Sequence, residues 1–291
     1  MASAELREIR RRIRSVQSTM KITRAMELIA ASRIVKAQQR VTAAQPYTGK
    51  MDEVIRTVAA ASGGASHALL EKRPVRSAGV LVVTSDRGLA GAYNTNVIRM
   101  AEARLVELVD QGVAVRVYAV GKKGQGYLRY RGYRVERAFL GVTDAPGYGD
   151  ARAIASLLMS EYAAEAIDSV EAYSTRYLSP MTQAASRWPI LPIAPVEGGS
   201  PGPSAAYTYE PSAVAILGKL LPRYVEATVF GMLLDASASE HAARRRAMKA
   251  ATENAEDLTR LLTRRANQAR QAEITTEISE IVGGAEALTR G

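Results

Sequence analysis

Between Pro222 and Leu288 the chain runs for about 65 residues with glycine only at Gly231, Gly283 and Gly284 and with no further proline. As one helix, at 1.5 Å per residue, such a segment is on the order of 100 Å long. Ordinary globular domains are narrower than that. A helix of this length leaves the body of a protein, and its apolar stripe needs a partner helix to cover it. The stripe closes with Ile274, Ile278, Ile281, Ala285 and Leu288, inside ARQAEITTEISEIVGGAEAL (269–288), where carboxylates and threonines alternate with isoleucines.

The N-terminal residues supply the partner. From Leu6 to about Ala61, only Gly49 and Pro46 interrupt a helical composition. Ile9, Ile13, Val16 and Met20 recur at spacings of four, three and four, and Ile22, Met26 and Ile29 continue a displaced stripe. This spacing predicts a second long helix, bent near Pro46. Each helix has one end at the region between them, so the two should lie antiparallel. Ala236, Ala238, Ala242, Ala243, Ala247, Ala250 and Ala251 thin one stretch of the second helix, which would let the two backbones approach closely.

The middle has another period. AGVLVVTSD (78–86) is a short Val-rich run of the kind a buried parallel strand requires, and the amphipathic 94–112 follows as a helix ending at Gly112. VAVRVYAVG then reads as a strand, KKGQGYLRYRGY as a short helix and RVERAFLG as a strand. DARAIASLLMSEYAAEA (150–166) reads as a helix with Asp150 at its N-cap, before strands in SVEAYSTRYLS and PILPIAPV. EGGSPGPSAA (197–206) has the composition of a flexible loop. The expected fold is an α/β domain with a mostly parallel, doubly wound sheet, inserted between two long terminal helices that form an antiparallel coiled coil. The expected boundaries are 1–61 for the first helix, 75–196 for the α/β domain, 197–211 for the loop and 212–291 for the second helix.

Composition removes several chemistries. There is no cysteine, so disulfides, thiolate metal sites and cysteine nucleophiles are excluded. The only histidines, His67 and His241, are far apart and are expected to be packing or surface residues. No apolar run reaches the ~20 residues a bilayer span needs. MASAELREIRRRIRS is charged where a secretory signal turns apolar, so a soluble, cytoplasmically made protein is expected. The strongest candidate for nucleotide chemistry is SDRGLAGAYN (85–94), which follows a strand and opens a helix. It matches neither GxGxxG nor GxxxxGK[ST], and GKKGQG (121–126) fails both patterns too. Its glycines serve a tight turn equally well, with Asp86 and Asn94 as turn and cap residues. No catalytic, cofactor-binding or metal-binding residue is assigned.

IRRRIRSVQSTMKITRAMELIAASRIVKAQ (9–38), TSDRGLAGAYN (84–94), AMKAATENAEDL (247–258) and ITTEISEIVGGAEA (274–287) resemble, in the same order, the γ subunit of the rotary F-type ATP synthase. The resemblance spans essentially the whole chain. It implies a central rotor shaft, non-catalytic by itself, whose coiled coil rises inside a ring of alternating α and β subunits. The α/β domain would sit on the c-ring with the ε subunit alongside, coupling proton flow to ATP synthesis or hydrolysis by rotation. No cofactor, nucleic acid or membrane insertion is implied.

By that resemblance, rotor–stator contacts fall to Met26, within KITRAM, and to Arg244, Arg270, Gln271, Thr275, Glu277 and Glu280. The antiparallel pairing would bring these two groups to similar height. Where family members commonly carry an aromatic residue and a lysine before the terminal ARQ, this chain has Ala266 and Gln268. The absence of a transit peptide ahead of the family pattern favours a bacterial protein, peripheral on the cytoplasmic side of the cell membrane. Part of the net charge of +10 would suit acidic loops on β.

Two rivals fit less well. A nucleic-acid-binding coiled coil should gather its basic residues on one stripe with stacking aromatics, but Glu5, Glu8, Glu27, Asp52 and Glu53 are interspersed and aromatics are 5% of the chain. A nucleotide-dependent enzyme would need phosphate-binding chemistry at 85–94, and the required Lys and Ser/Thr pattern is missing there.

Overall fold

The computed structural model describes residues 4–61, 67–193, 210 and 212–289; the expected loop at 197–206 lies outside them. In chain order the elements are α1 (Ala4–Ala61), a 3-10 turn (Ala68–Leu70), β1 (Ser77–Val83), α2 (Tyr93–Asp110), β2 (Ala114–Val120), α3 (Lys122–Tyr130), β3 (Val135–Phe139), α4 (Tyr148–Ala163), β4 (Ser169–Tyr177), β5 (Gln183–Leu191) and α5 (Ala213–Thr289). The sheet has the order β3-β2-β1-β4-β5 and is parallel except for β5, which pairs antiparallel with β4.

Both long helices pass through a proline, and two boundaries within the α/β domain differ from expectation for local reasons. Helix α5 begins at Ala213 and runs through Pro222. Leu217, Leu221, Val225 and Val229 form a buried stripe on both sides of that proline, and their burial offsets the one backbone hydrogen bond it removes. Helix α1 likewise continues through Pro46, with Met51, Ile55 and Val58 buried beyond it. Strand β5 starts at Gln183 rather than Pro189. It is an edge strand, where a proline can be accommodated. The N-cap of α4 is Gly147, and Asp150, at the third helical position, accepts the Gly147 N–H at 2.8 Å.

The chain forms two compact units, Ala30–Arg244 and the pair Met1–Ile29 with Arg245–Gly291. In the Ala30–Arg244 unit the sheet is buried on both faces. Ala78, Val80 and Val82 of β1 pack with Val97, Ala101, Leu105 and Leu108 of α2. Leu81 and Val83 face the opposite layer, with Ile154, Ala155 and Leu158 of α4 and the α5 stripe. The alternation of side chains along β1 assigns one set to each layer.

The second unit is a two-helix seam. Helix α1 leaves it at Ile29 and α5 enters it at Arg245, so the helices run antiparallel. On α1 the inward positions are Leu6, Ile9, Ile13, Val16, Met20 and Thr23. On α5 they are Met248, Thr252, Ala255, Thr259, Leu262, Ala266 and Ala269, all buried or half-buried at alternating spacings of three and four. The expected displaced stripe does not form. Ile22 and Ile29 are exposed, and the seam continues in phase through Thr23.

Candidate functional site

Thr23 Oγ1 lies 2.8 Å from Thr252 Oγ1. With equal rise per residue along both helices, this contact places Met20 level with Ala255, Ile13 with Leu262, Ile9 with Ala266 and Leu6 with Ala269. Ala4, where α1 begins, is then level with Gln271. Beyond Gln271, no described residue of α1 lies level with α5. The apolar stripe there is uncovered: Ile274 is 45% exposed, Ile278 56% and Ile281 71%. The stripe also starts one residue out of phase with the buried seam, whose next position is the half-buried Glu273.

Arg270, Gln271, Thr275, Glu277 and Glu280 are all exposed on this end of α5. Thr275 donates its hydroxyl to the Gln271 carbonyl at 3.0 Å, and Thr276 donates to Ala272 at 3.0 Å. These bonds satisfy the hydroxyls locally. Met26 is half-buried and level with Lys249. It is therefore separated from Arg270 by about 30 Å along the axis, so Met26 does not share a height with the residues from Arg270 to Glu280. Ala266 is buried in the seam, while Gln268 is exposed.

Arg244 stands apart from the other singled-out residues. It is 7% exposed and belongs to the Ala30–Arg244 unit. Its guanidinium donates to Glu240 at 2.7 Å and to the Gly88 carbonyl at 3.3 Å. Glu240 is 1% exposed; burial pushes its carboxyl upward against the pull of Arg244. The i, i+4 spacing of these two residues was visible in the sequence, but the burial that makes the pair matter was not.

The pair closes the place where a doubly wound sheet would bind a nucleotide. That place is the crevice beyond the strand C-termini at the switch in winding direction, here between β1 and β4. In SDRGLAGAYN the side chains of Ser85, Asp86 and Asn94 are already engaged. Asn94 accepts the Ser85 N–H at 2.9 Å, and Asp86 accepts the N–H groups of Lys122 at 3.1 Å and Gly141 at 2.9 Å. Gly121, at φ +87°, sits so close to this turn that an added Cβ would lie 2.2 Å from the Thr84 carbonyl oxygen. Tyr93 donates to the Ala236 carbonyl of α5 at 3.1 Å, and Ala90 and Tyr93 pack on Ala243. At Ala243, at least, the small side chain admits this loop.

The histidines have structural partners. His67 accepts the Leu69 N–H at 3.2 Å. His241 faces the Asp144 carbonyl at 3.2 Å, and burial holds its pKa below the ordinary value. Among the described residues no group of three or more His, Cys, Asp or Glu could hold a metal ion, and no helix is long and apolar enough to cross a membrane.

Comparison with known proteins agrees with the order of these features. The family model described as ATP synthase matches residues 5–288. The chain is 48% identical to the ATP synthase gamma chain of Frankia casuarinae, over 99% of both chains. It is 51% identical to that of Acidothermus cellulolyticus, over 98% of this chain and 97% of the relative. Among solved structures, a chain of the Euglena gracilis mitochondrial ATP synthase (OSCP/F1/c-ring) superposes with a TM-score of 0.67 at 17% identity, covering 98% of this chain and 94% of that one. A chain from the central stalk/c-ring structure of the Tetrahymena thermophila mitochondrial ATP synthase gives 0.61 at 21% identity, covering 79% and 99%. At these identities the superpositions establish a shared fold. The chain belongs to the ATP synthase gamma chain family, the central stalk of the F-type enzyme.

Proposed function

We propose that the chain acts as the rotor by contact rather than by bond chemistry, and that the uncovered end of α5 carries this action. Three isoleucines left in water are a standing penalty, each worth ~1.5–3 kcal/mol if fully buried. A sleeve around the helix end, formed by the ring of α and β subunits, supplies that burial. Arg270, Gln271, Thr275, Glu277 and Glu280 lie among the isoleucines and give the surface a different chemical face at each angle. A rotor that is asymmetric in this way biases the surrounding nucleotide sites unequally, and rotation passes the bias from one site to the next. Met26, half-buried on α1, is a second contact lower on the shaft. The chain carries no catalytic residue in this reading. Its α/β domain stands on the c-ring beside ε, peripheral to the cytoplasmic face of the bacterial membrane.

Purification of tagged chain from its membranes should recover α, β and ε with ATPase activity, and depletion of the tagged complex should remove that activity. Recovery of the chain alone would end the reading. Met26→Lys should lower the number of protons pumped per ATP hydrolysed, because a crowded cation seeks a carboxylate on the ring and holds the rotor back. Pumping equal to wild type would remove Met26 from the contact set.

A further inference from the structure

The charge of the helical pair is concentrated in one short stretch. The contact between Thr23 and Thr252 places residues 5–15 of α1 level with 260–270 of α5, about 15 Å of stalk. Those two stretches carry nine arginines, no lysine and no aromatic residue, against the two acids Glu5 and Glu8. Their net charge, nine less two, is +7 and so makes up most of the chain's +10. All nine arginines are exposed. Beyond the stretch, the only charged residues from 271 to 289 are glutamates.

The seam fixes the side on which each arginine stands. At this level the inward positions are Leu6, Ile9 and Ile13 on α1, and Leu262, Ala266 and Ala269 on α5. By the heptad spacing, Arg7, Arg11 and Arg14 lie on the back of α1, and Arg260 and Arg264 on the back of α5. Arg10 and Arg270 flank the antiparallel seam on one side, Arg12 and Arg265 on the other. Every side of the stalk therefore presents at least two guanidinium groups. They also crowd one another, since Arg7 is three residues from Arg10 and four from Arg11, and Arg260 is four from Arg264. Like charges at these spacings repel. Glu8 pairs with Arg11 and Arg12, and Asp257 lies 3.5 Å from Arg260. Among the described residues, the other six arginines form no ion pair.

We propose that this arginine collar is an electrostatic bearing, which draws the stalk into a sleeve of protein carboxylates and centres it there without favouring an angle. The proposal rests on the rotor reading, in which the sleeve is the inner wall of the ring, and adds the chemistry that wall must carry at this height. A surrounding negative wall relieves the repulsion that the collar suffers alone. Guanidinium groups match carboxylates with paired N–H donors in a fixed fork. Because the charge is spread over all sides, its attraction to such a wall changes little as the stalk turns. A nucleic acid would meet one face of the pair and would stack on aromatic side chains. The collar is charged on every side and contains no aromatic residue.

Association of the full chain with rings of α and β subunits that lack it tests the bearing. The chain has no cysteine, so a dye on Tyr130→Cys, an exposed position of α3, can report the rate. The parent should associate about tenfold more slowly at roughly 0.15 M salt than at roughly 0.02 M. Arg7→Gln/Arg14→Gln on one back of the stalk, and Arg260→Gln/Arg264→Gln on the other, should each slow association about threefold at low salt and flatten its salt dependence. Arg7→Lys/Arg14→Lys/Arg260→Lys/Arg264→Lys keeps the charge and should stay within about twofold of the parent. In single-molecule rotation driven by ATP hydrolysis, both glutamine variants should pause at the parent's angles.

A parent that joins the ring at a salt-independent rate overturns the bearing alone. So does an effect of one glutamine pair without the other, because a sleeve meets all sides, and so do shifted pause angles. Submicromolar binding of a short DNA duplex, lost in both glutamine variants while ring association is unchanged, would reassign the collar to nucleic acid. A parent that never joins the ring sinks the rotor reading, and the bearing with it.

Discussion

The two compact units handle polar groups in opposite ways. In Ala30–Arg244 three carboxylates are spent internally. Glu171 binds Arg187 at 2.6 Å and Arg104 at 3.3 Å, Glu226 accepts from Tyr148 at 2.7 Å, and Glu240 holds Arg244. All three carboxylates are buried. In the helical pair the charges lie outside, as in Glu8 with Arg11 and Arg12 or Lys249 with Glu253. Inside the helical pair, a hydrogen bond between two neutral hydroxyls crosses the seam. Buried ion pairs tie elements of the domain to fixed positions, whereas a stalk that must meet other subunits keeps its charges available. The same sequence feature, an arginine on α5, thus has different physical meaning at 244 and at 270.

The sharpest way to break that contrast is Arg244→Ala. It strands a buried carboxylate, and urea unfolding should show a loss of about 3–5 kcal/mol. A loss under about 1 kcal/mol would mean that Arg244 behaves like the exposed arginines and would return it to the contact surface. Next in size is a matched pair of truncations. Leu158→Ala, at a fully buried position of α4, should cost about 2–5 kcal/mol. Ile278→Ala should change stability by no more than about 0.5 kcal/mol while weakening recovery of the assembled ATPase. Equal effects of both substitutions on stability would erase the distinction between core and exposed stalk.

A smaller effect tests the interior of the domain by pH. Burial raises the Asp235 carboxyl to about 6, from 3.8, against the pull of Arg176 and a backbone bond from Tyr177. The folded state therefore favours protonated Asp235. Its contribution is fully present below about pH 3.8 and is lost as pH rises through about 6. Asp235→Asn should melt a few degrees above the parent at pH 7.5, with the gap closing below pH 4. A constant gap across that range would show that Asp235 does not titrate between folded and unfolded states. Smallest of all, Glu8→Gln removes an exposed double ion pair and should shift stability by less than about 0.5 kcal/mol, a difference that 1 M salt abolishes.

The architecture was legible because its signals are local or periodic. The long glycine-poor segments, the Val-rich strand at 78–83 and the alternation of strand and helix each follow from the composition of a short window. The motifs that carry the family resemblance were legible in the same way. Thr23 was passed over because a polar residue at a heptad position looks like the end of a stripe, which made Ile22, Met26 and Ile29 look like its continuation. Only the partner helix, with Thr252 opposite, makes a buried hydroxyl tolerable there.

The sequence by itself determined that two long helices flank a doubly wound domain, and that no thiol or paired-histidine chemistry is available. The tertiary structure decided which polar residues are free to act. It placed Arg244 and Glu240 inside and left Ile274, Ile278 and Ile281 outside. It also filled the crevice of the sheet with the chain's own helix. Local propensity and periodicity depend on neighbours in the chain, whereas burial depends on what other segments bring to the same place. The value of a charge or a hydroxyl is set by that second quantity.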